Sequence, residues 1–235
     1  MAIKGILFDK DGTLIQVNGT WVPLYRSMLA EEFGHSPAEI EALLASAGYD
    51  AATDGFKAGS MMAGGTTREI VATWWPKLDA AERHNRVHYI DNVIGPQAKT
   101  FVKPLMDLGP VLDALHQMGF VLGVGTNDSE ASGKSHMAHL AVSHYFKTII
   151  GSDSVAVPKP SGDMIALFAT TTGLMPHEIA MVGDNSHDMH EARQGGAGLA
   201  IAVLSGNAKH GDIAHLADHV VNSVADLPAL LKGRN

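Results

Sequence analysis

The sequence predicts an α/β protein: a parallel sheet covered by helices on both faces, interrupted after its first strand by a helical insert. Three observations predict it. A short apolar run at the N-terminus, IKGILF at 3–8, ends abruptly on acidic residues. Beyond residue 103, apolar runs alternate with stretches of helical periodicity. Between residues 15 and 102 there is helical spacing and no apolar strand run.

Taken in order, 3–8 reads as a buried strand. Trp21, Leu24, Tyr25, Met28, Leu29 and Phe33 then follow helical spacing. SPAEIEALLASAG reads as a helix capped at Ser36, and two further helices are expected near 66–76 and 79–92. The Gly-rich GSMMAGGTT, 59–67, is a loop or a helix break. Trp74 and Trp75 are expected to pack the insert, with one of them a candidate for the cleft wall. The chain re-enters the sheet near Lys103 and Pro104, where Val111, Leu112, Leu115 and Met118 share one helical face that stops at Gly119. The next strand is FVLGVG, 120–125. Helices near 129–141, 162–172 and 186–194 then alternate with strands at 146–151, 179–184 and 198–204, and HVVN with a helix near 226–232 closes the chain. The expected organisation is a sheet domain from 1–14 and 103–235 and a helical domain from 15–102.

The composition is globular, with 46% hydrophobic and 18% charged residues. A net charge of −8 without a basic stripe argues against nucleic acid as a partner. There is no cysteine, so disulfides and thiolate metal sites are excluded, which suits a reducing compartment. The N-terminal apolar run is too short for a signal peptide, and no stretch approaches the length of a membrane span. A cytoplasmic protein, monomeric or homodimeric, is expected.

In open parallel sheets ligands collect at the carboxyl ends of the strands. The first strand ends at Asp9 and Asp11. The second ends in GTND, which offers Thr126, Asn127 and Asp128. VPKPS follows the third and holds Lys159, and the fourth ends at Asp184, followed by NSHDM with Asp188. Two carboxylates two positions apart repel each other and are costly near an interior unless something offsets them. Carboxylates are preferred ligands of Mg²⁺, which also reaches substrate phosphate, so one divalent cation among Asp9, Asp11 and Asp184 would supply the offset. Lys159, the Thr126 hydroxyl and amides at the start of the next helix suit phosphate oxygens. An aspartate can serve as nucleophile, and a second one as general acid and base.

DKDGT from Asp9 to Thr13, VGTN at 124–127, Lys159 within PKPS and GDNSHDM at 183–189 resemble the four ordered motifs of the haloacid dehalogenase superfamily. The resemblance spans nearly all of the sheet domain. It implies a three-layer, Rossmann-like core, with the helical insert as that family's type 1 cap. The branch it is most similar to is that of phosphoglycolate-phosphatase-like enzymes, because Asp11 supplies an acid that the dehalogenases lack. The resemblance implies a Mg²⁺-dependent phosphatase acting on a small phosphorylated metabolite through an aspartyl-phosphate. Asp9 would be the nucleophile and a metal ligand. Asp11 would be the acid and base, and would bind the metal through its backbone carbonyl. Thr126 and the Asn127 amide would hold the phosphoryl group, Lys159 would neutralise charge, Asp184 would bind the metal directly, and Asp188 would sit behind it or bind through water. Lys10 departs from the branch, which often has an apolar residue there. Two other readings share the motifs: a phosphotransferase or sugar-phosphate mutase of the same superfamily, and a non-catalytic metabolite-binding module.

Other signals are weaker. SGKS, 132–135, lacks the upstream glycine of a nucleotide loop, because Asp128 stands there. GGAG, 195–198, precedes a strand and reads as a turn. Most of the 13 histidines read as surface or polar packing; His84 with His88 and His136 with His139 have helical spacing but no HExxH pattern. His187 and His190 flank Asp188 and are candidates for contact with the site.

Overall fold

The computed structural model describes residues 2–233. The chain enters through β1 (Gly5–Phe8), whose four residues are all buried. Helices then dominate, with one small antiparallel hairpin of β2 (Tyr49–Asp50) and β3 (Gly55–Phe56). The remaining strands are β4 (Val121–Gly125), β5 (Phe146–Ile150), β6 (Ile179–Gly183), β7 (Leu199–Val203) and β8 (His219–Val221). With β1 they form a six-stranded sheet in the order β5-β4-β1-β6-β7-β8, every neighbouring pair parallel. Each strand falls within a residue or two of its sequence expectation. The two-residue hairpin was not anticipated, being too short to carry an alternating pattern.

Side chains alternate across the sheet, as the two-residue period of a strand requires. Ile6 and Phe8 join Leu122, Val124, Val182 and Val203 in one apolar layer, against Leu112 and Leu115 of the helix Gly109–Gln117. Leu7 and Met181 face the other layer, against Met164, Ile165 and Phe168 of the helix Asp163–Thr172. Gly123 lets that second layer close up: a Cβ there would lie 2.5 Å from the Phe168 ring.

Residues 17–98 carry an apolar cluster of their own, centred on Trp21, Tyr25, Leu29, Leu44, Val71 and Trp74. The helix Val17–Ser27 continues as wider π-type turns over Met28–Glu32. The helix Pro37–Ser46 starts on the expected box, with Ser36 Oγ accepting from the Glu39 amide and the Glu39 carboxylate accepting from the Ser36 amide. The Gly-rich stretch contains a single helical turn, Met61–Gly64. The chain leaves and rejoins the sheet side by side: Gln16 N donates to Lys103 O at 2.9 Å, and Leu105 N to Leu14 O at 3.0 Å. Among the described residues no helix is long and apolar enough to cross a membrane.

Two buried acids shape the framework. Glu191, fully buried, accepts from the amides of Gly162 (2.7 Å), Met164 (2.9 Å) and Ile165 (3.2 Å), so it satisfies the first turn of the helix Asp163–Thr172. Removing it strands those donors. Glu191→Ala is expected to cost about 2–3 kcal/mol, read as a lower urea midpoint at unchanged m-value. Asp91 sits in the seam between the insert and the helix Glu130–His139, where its backbone carbonyl accepts from Ser129 Oγ at 2.7 Å and its Oδ1 has no partner. Burial pushes its carboxyl up to about 7. An acid raised on folding favours the protonated fold, so this contribution is complete below the unfolded value of 3.8 and is lost as pH rises through about 7. Asp91→Asn should therefore gain about 2–3 kcal/mol on the wild type between about pH 5 and pH 8, measured by urea unfolding at both.

Candidate active site

The carboxyl ends of β1, β4 and β6, three adjacent strands at the centre of the sheet, open into one cleft. Asp9 follows β1 directly, and its amide donates to Val182 O on β6 at 2.7 Å. Thr126 and Asn127 follow β4, Asp184 follows β6, and Asp188 lies in the first turn of the helix Ser186–Gln194. Lys159 arrives from the loop after β5. Asn127 secures that loop: its Oδ1 accepts from the Lys159 amide at 3.0 Å and its Nδ2 donates to the Lys159 carbonyl at 3.1 Å.

Asp9, Asp184 and Asp188 each offer a carboxylate oxygen, all within 4.8 Å of one another and all buried. Lys159 Nζ bridges two of them, donating at 2.6 Å to Asp9 Oδ1 and at 2.6 Å to Asp188 Oδ1. The other Asp188 oxygen accepts from the Asn185 amide at 3.0 Å. Asp184 Oδ2 accepts from Asn207 N at 3.2 Å, whereas its Oδ1 is buried with no partner. Burial pushes the Asp9 carboxyl up to about 7, despite the opposing pull of Lys159. Burial, with Asp9 and Asp188 adding repulsion, holds Asp184 well above the ordinary carboxylate range. Burial works against the Lys159 charge, but Asp188 and Asp9 outweigh it and raise its pKa.

These residues fit a metal ion. A buried carboxylate oxygen without a partner is costly, and three anions crowded around one ammonium are short of positive charge. Oxygen-only donors of this kind suit a hard divalent cation. Gly12 makes the arrangement possible. It sits at φ +83°, and a Cβ there would run into the Asp184 carboxylate.

Asp11 lines the same cleft but turns its carboxylate away from the trio: Oδ1 accepts from Trp21 Nε1 at 2.5 Å and Oδ2 pairs with Lys10 Nζ at 2.8 Å. Its carboxylate is not part of the trio that could hold a metal ion. Asp188 stands beside Asp9 and Asp184, because the first helical turn after Asn185 brings it back next to Lys159. Thr126 is buried with its Oγ1 accepting from the Asp128 amide at 3.2 Å. His187 lines the cleft, its pKa lowered by burial, and His190 is exposed outside it.

The insert supplies the opposite wall, with Trp21, Tyr25, Met62 and Ile70 and the backbone of 63–65. Asn127 Nδ2 donates to Gly64 O at 2.7 Å and Asn185 Nδ2 to Ala63 O at 3.3 Å, so two core loops grip this turn. Trp74 instead packs inside the insert, its Nε1 donating to Leu43 O at 2.8 Å, and neither Trp74 nor Trp75 lines the cleft. Sequence reasoning missed Trp21 and Asn185 as cleft residues. The helical spacing of Trp21 signalled packing only, and Asn185 lay inside the fourth motif without a role.

Residues 6–202 match the family of haloacid dehalogenase-like hydrolases. A phosphoglycolate phosphatase of Chromobacterium violaceum is 30% identical over 98% of this chain and 97% of its own. The pyrophosphatase PpaX of Halalkalibacterium halodurans is 26% identical over 97% of this chain and 96% of its own. Among solved structures, a HAD phosphatase of Thermococcus onnurineus superposes with a TM-score of 0.66 at 23% identity, over 98% of this chain and 99% of that one, which is a likeness of fold. With its match over most of the chain and the acidic cleft at the strand ends, the protein belongs to the haloacid dehalogenase-like hydrolase family.

Proposed function

We propose that this hydrolase is a Mg²⁺-dependent phosphatase that cleaves a small phosphomonoester through an aspartyl-phosphate on Asp9. The observation that carries the reading is the buried trio of Asp9, Asp184 and Asp188 around the Lys159 ammonium, with one Asp184 oxygen unpartnered. Relatives named phosphoglycolate phosphatase support a small phosphorylated metabolite as substrate, phosphoglycolate among the candidates. Residues 15–102 act as a cap over a core of 1–14 and 103–235, and the wall formed by Trp21, Tyr25, Met62 and Ile70 receives the alcohol part of the ester.

In this reading the Thr126 hydroxyl and the Asn127 amide hold phosphoryl oxygens, and Lys159 stabilises charge on the phosphoryl group and on Asp9. An Asp9 oxygen attacks phosphorus in line with the leaving oxygen, the ester P–O bond breaks, and Asp11 gives its proton to the departing alkoxide. Asp11, now ionised, takes a proton from a water. That water attacks phosphorus, the bond to Asp9 breaks, and phosphate and a free Asp9 carboxylate result. Asp188 keeps Lys159 in place throughout. Bound Mg²⁺ would be held by Asp9, Asp184 and the Asp11 carbonyl, and would supply electrostatic stabilisation of the phosphoryl charge.

With p-nitrophenyl phosphate, EDTA should abolish turnover and added Mg²⁺ restore it, and Asp9→Asn should lower kcat by at least about 10³-fold. Undiminished turnover after chelation, or in Asp9→Asn, overturns the reading. Gly12→Ala forces a side chain against Asp184 and should weaken Mg²⁺ binding by about 10–100-fold, measured by titration calorimetry.

A further inference from the structure

Lys10 has no part in the chemistry above, yet it is 0% exposed and lies between two of the site's aspartates in sequence. A buried ammonium persists only where its charge is met. Lys10 Nζ pairs with Asp11 Oδ2 at 2.8 Å and Asp128 Oδ2 at 3.1 Å, lies 3.2 Å from His136 Nδ1, and stands 4.9 Å from the centre of the Trp21 ring. Burial works against its charge, but the two carboxylates outweigh it and raise its pKa, so it stays protonated. His136 is held neutral, pushed down to about 3 by burial and by the Lys10 charge. Its tautomer follows: Nδ1 accepts from Lys10, and Nε2–H donates to Gly95 O at 3.0 Å. The second Asp11 oxygen accepts from the Trp21 indole at 2.5 Å. Trp21 and Gly95 both belong to the insert and approach from different elements, the helix Val17–Ser27 and the turn Gly95–Gln97.

We propose that Lys10 is a positioning residue that, together with Trp21, clamps the Asp11 carboxylate from both oxygens and ties its placement to the seating of the insert. Asp128 and His136 hold the ammonium from behind, and His136 passes the position of the Gly95 backbone to it. An insert displaced from the core would pull the indole from one Asp11 oxygen and shift the support of the other, so Asp11 takes its proton-transfer position only under a seated insert. The inference rests on the reading of Asp11 as the acid and base.

The test compares kcat/KM for phenyl phosphate and p-nitrophenyl phosphate, two aryl esters that differ by one para nitro group. The nitro group stabilises the departing phenolate, so only the unsubstituted ester depends strongly on proton donation. Lys10→Met combined with Asp128→Asn, which removes the Asp128 charge together with the ammonium and leaves Asp11 its indole donor, should slow phenyl phosphate about tenfold or more beyond its effect on p-nitrophenyl phosphate, with Mg²⁺ affinity unchanged. Trp21→Phe keeps the ring, removes the indole donor and should show the same selective loss. If folded variants slow both esters equally, or neither, the clamp is refuted; if the double variant does not fold by circular dichroism, Trp21→Phe alone decides. Asp11→Asn separates the two levels. A selective loss there without one in the Lys10 and Trp21 variants overturns the clamp alone, and no selective loss in Asp11→Asn overturns the acid–base reading and the clamp with it.

Discussion

The ammonium of Lys159, shared between Asp9 and Asp188, is the interaction on which the geometry of the cleft depends. Asp9, Asp184 and Asp188 are buried within 4.8 Å of one another, and in an interior their mutual repulsion is weakly screened. One ammonium among three carboxylates orders them but does not balance them. Burial, with repulsion between the carboxylates adding to it, raises the pKa of Asp9 and Asp184, and one buried Asp184 oxygen has no partner. The same imbalance matches what a divalent cation and an incoming phosphoryl group bring together: charge of one sign to satisfy the carboxylates, and charge of the other to satisfy the lysine. Such a distribution of charge suits a site that acts on phosphate esters.

The surrounding framework spends its hydrogen bonds on keeping Lys159 where it is. Asn127 fastens the backbone of Lys159 on both its amide and its carbonyl, and Glu191 satisfies the start of the helix that follows. Asn127 also reaches Gly64 O, so one side chain touches the loop that carries the cation and the turn that faces it across the cleft. Asn185 makes the companion contact to Ala63 O. Each side of the cleft is thereby referenced to the same strand ends.

A second charged centre stands beside the first. Asp9, Lys10 and Asp11 are consecutive, but beyond the end of β1 they divide between two clusters of ion pairs. Asp9 meets Lys159 and Asp188, whereas Lys10 pairs with Asp11 and Asp128. Each lysine lies between two carboxylates, one from just beyond β1 and one from another segment, Asp188 on its helix or Asp128 after β4. The first pair of carboxylates lies beside Asp184, and in the second pair Asp11 meets the insert through Trp21.

Much of this was legible in the amino-acid sequence because it rests on local patterns. Apolar runs of four to seven residues bounded by helical periodicity marked the six strands of the sheet, and the ends of three of those strands marked Asp9, Thr126, Asn127 and Asp184, because in a parallel sheet functional groups gather at the carboxyl edge. Ser36 with Glu39 marked a helix start for the same local reason. What the sequence left open depends on which distant segments meet. Asp188 joining Asp9 in the carboxylate trio, Trp21 reaching Asp11, Lys10 finding Asp128 and His136, and Asn185 gripping the insert are contacts between residues distant in the sequence, from 10 positions apart for Trp21 and Asp11 upward. The chain's own pattern determined the elements and the chemistry at their ends, since periodicity and residue type are local properties; only the tertiary structure decided which charges are paired, because pairing is settled by distance in three dimensions.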